Sequence, residues 1–239
     1  MMSTSLRQTL ALVAAITASF AVFALWPGLD LLVTGLFRDP VARFSGADSG
    51  WPNVARLGVW RVSQAVLFVA LVALVYRILR RRDAFEVPAR VWVYVVGLYA
   101  IGPGLLVDQI LKPVWGRARP ANVVEFGGPL AFTPPTQFSE ECARNCSFVS
   151  GEVSGAVALA VCLVVILTRF RDQMGVITYR FATSTVLVIP LFIAWQRIAA
   201  GRHFLSDAIF AVLFTLLVAV LLHAVLGRKG WIARPRGQP

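Results

Sequence analysis

The chain has 239 residues, 58% of them hydrophobic and only 15% charged, which is too apolar for a water-soluble domain of this length. Its formal net charge of +11 at pH 7 would suggest a nucleic-acid partner in a soluble protein. Here many arginines lie in short loops between apolar segments, where retention on the cytoplasmic side of a membrane explains them, and no nucleic-acid partner is expected.

Apolar runs close to the roughly 20 residues that cross a bilayer fall at 10–26, 59–79, 91–110, 148–167, 183–200 and 204–226. They predict an all-α, polytopic membrane protein with six transmembrane helices and both termini on one side. Arg7 ahead of the first run fits a cleavable signal peptide, but the length of that run and its ending in FALWPG favour a retained helix. LDLLVTGLF (29–37) is too short to span and reads as an interfacial or re-entrant helix. Arg7, the group Arg77, Arg80, Arg81, Arg82 and Arg90, the group Arg169, Arg171 and Arg180, and the tail Arg228, Lys229, Arg234 and Arg236 mark the cytoplasmic side. The other side carries Arg38, Arg43, Arg56, Arg61, Lys112, Arg117, Arg119, Arg144, Arg197 and Arg202. That excess opposes the positive-inside rule, so those cations have another task. Trp51, Trp60, Trp92, Trp115, Trp195 and Trp231 fall near helix ends, as an aromatic belt requires.

No repeat or linker divides the chain, so residues 1–239 read as a single integral membrane domain. The longest loop outside the membrane is 113–147, a length at which loops are functional or disordered. Cys162 sits within the fourth run as a small core residue. Cys142 and Cys146, in CARNC, lie on the outer side, where a disulfide and two free thiols are both compatible with the spacing. No metal and no other cofactor is expected, because His203 and His223 are the only histidines and no second ligand pair accompanies the cysteines.

Three polar clusters interrupt the apolar pattern: KPVWGRARP (112–120), SFVSGEVSG (147–155) and RIAAGRHFLSD (197–207). With six crossings all three reach the same membrane surface. Taken singly, each has a plain reading. The cations of the first can contact lipid head groups, the second can be a capped helix start with Ser147 or Ser150 as cap, and small residues there can serve helix packing. His203 and Asp207 are harder to explain structurally. Four residues apart, they are expected on one helix face, where the carboxylate accepts the ring Nδ1–H and leaves Nε2 with a free lone pair. Ionisable groups at a membrane edge are costly and by default functional. Lys112, Arg119 and Arg197, with the amides at the Ser150–Gly151 helix start, make a cradle for a tetrahedral dianion such as phosphate.

Lys112, then six residues, Arg119 and Pro120; Ser150 and Gly151 at a helix start; and Arg197, five residues, His203, three residues, Asp207: this order and spacing resembles the three-part signature of the type 2 phosphatidic acid phosphatase superfamily, whose membrane members also have six helices. The resemblance covers the chain from about residue 91 onward. It implies a phosphatase core helix bundle and a metal-independent reaction. In that reaction His203 attacks phosphorus and becomes a phosphohistidine, and Asp207 orients the ring. Lys112, Arg119 and Arg197 neutralise the phosphoryl oxygens, and the Ser150 hydroxyl and Gly151 amide complete the cradle.

Two positions depart from the family pattern. The second motif of the family ends in histidine, held to protonate the leaving oxygen, whereas here Glu152 stands in that place, and Gln196 precedes Arg197 where the family has serine. Three roles for Glu152 are compatible with the sequence: a general acid whose pKa is raised by burial, a partner that arranges site arginines such as Arg202, or a residue made dispensable by an acidic leaving group; the expectation is a catalytic Glu152, acting as general acid or binding a sugar hydroxyl. The expected function is hydrolysis of a phosphate monoester or diphosphate of a membrane lipid, preferentially a glycolipid such as lipid A, at the periplasmic face of a bacterial inner membrane. A polyprenyl diphosphate or phosphatidylglycerophosphate phosphatase, a lipid phosphotransferase and a non-catalytic lipid-phosphate binder are the alternatives.

Overall fold

The computed structural model describes residues 2–39, 44 and 48–227. Arg43, Trp231 and the tail cations Arg228, Lys229, Arg234 and Arg236 lie outside the described residues. The helices are α1 (Thr4–Leu25), α2 (Gly28–Gly35), α3 (Gly50–Arg80), α4 (Ala89–Tyr99), α5 (Lys112–Trp115), α6 (Gly151–Phe170), α7 (Val176–Ala199) and α8 (Leu205–Leu226). A π-type stretch, Ala100–Leu111, joins α4 to α5 and contains Pro103, which has no N–H to give to a regular helical ladder. Among the described residues six helical segments are long and apolar enough to cross a bilayer: α1, α3, the α4–α5 run, α6, α7 and α8. The chain is thus an all-helical, multi-pass membrane protein, and α2 is the short helix expected outside the spans.

In lipid the helices satisfy their own backbone, so their arrangement is decided by side-chain packing and a few interhelical hydrogen bonds. α6 is central and packs against α3, α4, α7 and α8. Gly155, Ala156, Ala158 and Ala160 keep its surface small enough for close approach. Its Ser154 hydroxyl meets Thr215 of α8 at 2.7 Å, and Ser63 of α3 meets Tyr99 of α4 at 2.7 Å. α1 joins the bundle rather than standing apart, with Phe20 against Phe210 of α8 at 4.2 Å between ring centres. Large apolar side chains such as Phe68, Leu79, Phe181 and Leu191 remain on the outside, as a lipid-facing surface requires.

The tryptophans divide. Trp51 and Trp195 are exposed near helix ends and stacked at 6.3 Å, whereas Trp60 is exposed well inside α3 and not at its end. Trp92 is instead buried in the bundle. Trp115 turns into the loop, stacking on Phe148 at 4.7 Å and donating its indole N–H to the Pro135 carbonyl at 2.7 Å. Those two are corrected from membrane anchors to packing residues.

The long loop after α5 is ordered. Val124 N–H donates to Leu130 O at 2.8 Å, Leu130 N–H to Asn122 O at 2.9 Å, and Ala121 N–H to Gly201 O at 2.9 Å, which ties the loop to the α7–α8 turn. A small apolar cluster of Ala118, Val123, Phe126 and Phe204 lies beneath it, together with Phe44. Gly201 makes the turn possible: its φ is +64°, and the Phe44 ring occupies the place of a side chain. Arg202 and His203 N–H groups then both return to Arg197 O, at 3.0 and 3.3 Å. The third cluster is thereby folded back over the end of α7.

Candidate active site

The three clusters meet at one end of the bundle around a cavity of about 410 Å³, lined by Lys112, Arg119, Gly151, Glu152, Arg197 and His203 together with Asp48, Arg56 and Arg202. α6 begins here because Ser150, in extended conformation, caps it: its hydroxyl accepts the Val153 N–H at 3.4 Å. Gly151 and Glu152 are the first helical residues, and their N–H groups have no acceptor among the described residues. They give the cavity wall the positive end of the helix dipole. Gly151 leaves room for its neighbour, since a Cβ there would stand 2.8 Å from Lys112 Nζ and displace the ammonium. Lys112, the first residue of α5, lies against that glycine and donates to Asp108, one turn earlier, at 2.6 Å.

Each arginine of the cavity is held by a carboxylate or amide. Arg119 donates through Nε and Nη2 to the backbone and side-chain oxygens of Asn145, at 3.0 and 2.7 Å. Asn145 has a φ of +55°, a left-handed conformation that asparagine tolerates, and it lies between Cys142 and Cys146, which are joined as a disulfide. Arg197, at the end of α7, donates to Asp48 at 2.8 Å, to Glu152 at 3.2 Å and to Gln196 at 2.6 Å. Gln196, standing where the family has serine, therefore supplies an acceptor for the adjacent guanidinium. Arg56 of α3 donates to the other oxygen of Glu152 at 3.0 Å and to Asn53. Arg202 donates twice to Asp48, at 3.0 and 2.8 Å. Burial acts to raise the Asp48 carboxyl, but Arg202 and Arg197 outweigh it, and its pKa lies below the ordinary value.

Glu152 thus pairs with Arg56 and Arg197, and Arg202 with Asp48, which corrects the expected Glu152–Arg202 contact. Sequence reasoning placed Arg56 among the outer-side cations in excess of the charge rule and assigned it no partner. That excess was the signal. Asp48, Asp108 and Asn145 carried no motif and were missed.

The geometry of His203 and Asp207 also differs from expectation. His203 precedes α8 instead of sharing a helix face with Asp207, which is the third residue of that helix. Its Nδ1 lies 2.8 Å from the Ser147 carbonyl and 3.7 Å from Asp207 Oδ2. A carbonyl only accepts, so Nδ1 carries the proton and Nε2 is the nitrogen with the lone pair. Asp207 lies behind the ring. Its Oδ2 accepts the Phe204 N–H at 2.8 Å, closing half of a capping box, and also the Ser147 hydroxyl. His203 is 4% exposed. Burial holds the imidazole below its ordinary pKa, Asp207 opposing and Arg119 and Lys112 adding to the depression, so the ring is neutral at neutral pH.

Behind Asp207 is Arg117, 0% exposed, which corrects its reading as a lipid-contacting cation. Its guanidinium donates to Asp207 at 2.7 Å and to Asp30 of α2 at 2.8 Å, and its Nε donates to the Thr133 carbonyl at 2.7 Å. The Phe204 ring lies 4.3 Å beneath it. Asp30 in turn accepts the backbone N–H and hydroxyl of Ser206, at 2.8 and 2.6 Å. Burial raises the Asp30 carboxyl, with Arg117 opposing. The short helix expected only at the interface therefore supplies a buried acid that caps α8 from outside.

Of the catalytic and phosphate-binding residues expected from sequence, Ser150 and Asp207 do not line the cavity, and neither do Cys142 and Cys146. Ser150 caps α6, and Asp207 supports the imidazole. The remaining arrangement, a lone-pair nitrogen facing a ring of cations and free amides, is suited to attack on a tetrahedral anion.

Known proteins resemble this chain in sequence and in fold. A family model described as the PAP2 superfamily matches residues 90–231. The chain is 28% identical over 210 residues to a lipid A 4'-phosphatase of Francisella tularensis subsp. novicida, covering 87% of this chain and 90% of that one. It is 31% and 32% identical over 221 residues to lipid A 4'-phosphatases of Rhizobium leguminosarum and Rhizobium etli, again over 87% of this chain and 91% and 83% of theirs. Among solved structures, the first transmembrane PAP2 type phosphatidylglycerolphosphate phosphatase from Bacillus subtilis superposes with a TM-score of 0.58 at 15% identity, covering 91% of this chain and 95% of that one. This is a likeness of fold.

Proposed function

The chain belongs to the PAP2 superfamily, and from that premise we propose that this membrane lipid phosphatase removes a phosphate monoester from the saccharide of a lipid A-type glycolipid. The proposed site faces the periplasm, with the protein in the bacterial inner membrane. The relatives' names support the substrate class. The observation that carries the chemistry is the Ser147 carbonyl at His203 Nδ1, which leaves Nε2 as the nucleophile at a cationic cavity.

In this reading His203 Nε2 forms a bond to phosphorus as the bond from phosphorus to the sugar oxygen breaks. Lys112, Arg119, Arg197 and the Gly151 amide take up the charge on the phosphoryl oxygens. Asp207, carrying Arg117 behind it, steadies the imidazolium of the phosphohistidine. Water then attacks phosphorus, inorganic phosphate leaves, and His203 returns to the neutral ring. Glu152, bonded to Arg56 and Arg197, arranges those two cations, and the departing sugar oxygen takes its proton from water in the open cavity.

The test is phosphate release by purified protein from a phosphorylated disaccharide lipid, with acid-labile, base-stable phosphoprotein trapped on rapid quenching. His203→Ala is expected to remove both phosphoenzyme and turnover, by about a thousandfold or more. Phosphate appearing on a second lipid instead of in solution would favour a phosphotransferase. A His203→Ala variant that still turns over ends this reading.

A further inference from the structure

A second cavity, of about 360 Å³, adjoins the first and shares Arg119, Asn145 and Arg202 with it. The polar part of its own wall is Asn122, Glu141 and Arg144, with Ala118, Leu130 and Cys142 beside them, all from the segment between α5 and α6. It is built from the segment after α5 and the α7–α8 turn, beside the phosphate cavity, and is within the size range of small-ligand pockets. We propose that it is a saccharide subsite, which holds the sugar of a glycolipid while the sugar's phosphate occupies the neighbouring cavity.

The chemistry of the wall selects that ligand. Sugar hydroxyls both donate and accept, and here an amide, a carboxylate and a guanidinium face one space, offering both kinds of group. Among the described residues the side chains of Arg144 and Asn122 make no hydrogen bond, so their donors remain open to a ligand. Glu141 is fixed by accepting the Ala131 N–H at 3.1 Å, and Asn145 by its two bonds to Arg119. Arg202 is held by Asp48. Three fixed groups and two free ones make a partly preformed pocket. An acyl chain fits poorly, since it would strip water from three guanidinium groups without replacing their hydrogen bonds. The shared wall also sets the geometry: Arg119 and Asn145 stand between the cavities, so a phosphate against Arg119 has its sugar next to Asn122 and Arg144.

The inference rests on the phosphate reading of the first cavity, and its test separates the two. Initial rates are measured for wild type, Arg144→Ala and Asn122→Ala on three substrates: a phosphorylated disaccharide lipid, phosphatidic acid and p-nitrophenyl phosphate. Each variant is expected to raise KM for the disaccharide lipid about tenfold, the scale of one lost hydrogen bond to a charged or fixed partner, with KM for the other two substrates unchanged. The dephosphorylated disaccharide lipid is expected to inhibit p-nitrophenyl phosphate turnover competitively in wild type and less in Arg144→Ala. The same change on all three substrates, or none on the disaccharide lipid, overturns the subsite and leaves the phosphate site standing. Absence of phosphate release from every substrate by wild type overturns both.

Discussion

At the scale of the residue, the proposed reaction depends on a neutral imidazole, and burial favours that state. Because the folded pKa of His203 lies below the ordinary value of about 6.5, the neutral form persists further into acid than for a free histidine. The acid limb of kcat/KM is therefore expected to have its midpoint below about 6.5; a midpoint above 7 on the same plot contradicts the assignment. Glu152 has a different test. If it arranges Arg56 and Arg197, Glu152→Gln lowers kcat/KM by about tenfold, the cost of weakening two charge-assisted bonds, without displacing the alkaline limb. Loss of that limb would make Glu152 the proton donor instead. Arg117 carries the largest structural load, because its removal leaves Asp30 and Asp207 buried without a counter-ion. Arg117→Ala is expected to destabilise the fold by about 3–5 kcal/mol, read as a lowered midpoint in thermal unfolding of the detergent-solubilised protein. The role of Arg117 was not legible from the local sequence. Arg117 lies between two site cations and resembles them, and only its partners, 87 and 90 positions away, distinguish it.

At the scale of the element, one small loop orients two parts of the site. The Cys142–Cys146 disulfide encloses Asn145, which holds Arg119, and the next residue, Ser147, holds the His203 ring. Ser147 N–H also donates to Arg117 O at 2.9 Å. Reduction of the disulfide, or Asn145→Ala, is expected to lower kcat/KM about tenfold. In an Arg119→Ala background Asn145→Ala should add little, because the bond it breaks is already absent; full additivity would show that Asn145 does not act through Arg119. The six spans and the three motif clusters were readable, since apolar runs and polar interruptions are local signals. Helix ends were less so. The fourth run seemed to begin at Phe148, an apolar residue, yet α6 starts at Gly151, after the Ser150 cap, because Phe148 is drawn beneath Trp115. The contribution of α2 was invisible for a related reason: a single aspartate in a short apolar helix gives no sign that it will cap a helix 176 positions later.

At the scale of the whole molecule, alternation of the spans puts the cavity at one end of the bundle and the arginines Arg77, Arg80, Arg82, Arg90, Arg169 and Arg171 at the other. By the positive-inside rule the proposed orientation has the second end in the cytoplasm. A reporter fused after Gly227 is expected to read cytoplasmic, and a cysteine introduced at Glu140 to react with a membrane-impermeant thiol reagent on intact spheroplasts; the opposite pattern inverts the topology. In that orientation the disulfide beside the catalytic machinery has a consequence for how the protein matures. The bond forms only where oxidation is possible, so a newly made chain still waiting in the reducing cytosol lacks the link that steadies Arg119 and His203. On the proposed orientation the molecule would be synthesised unarmed and gain its full activity after translocation, on the far side from the phosphorylated metabolites of the cell interior.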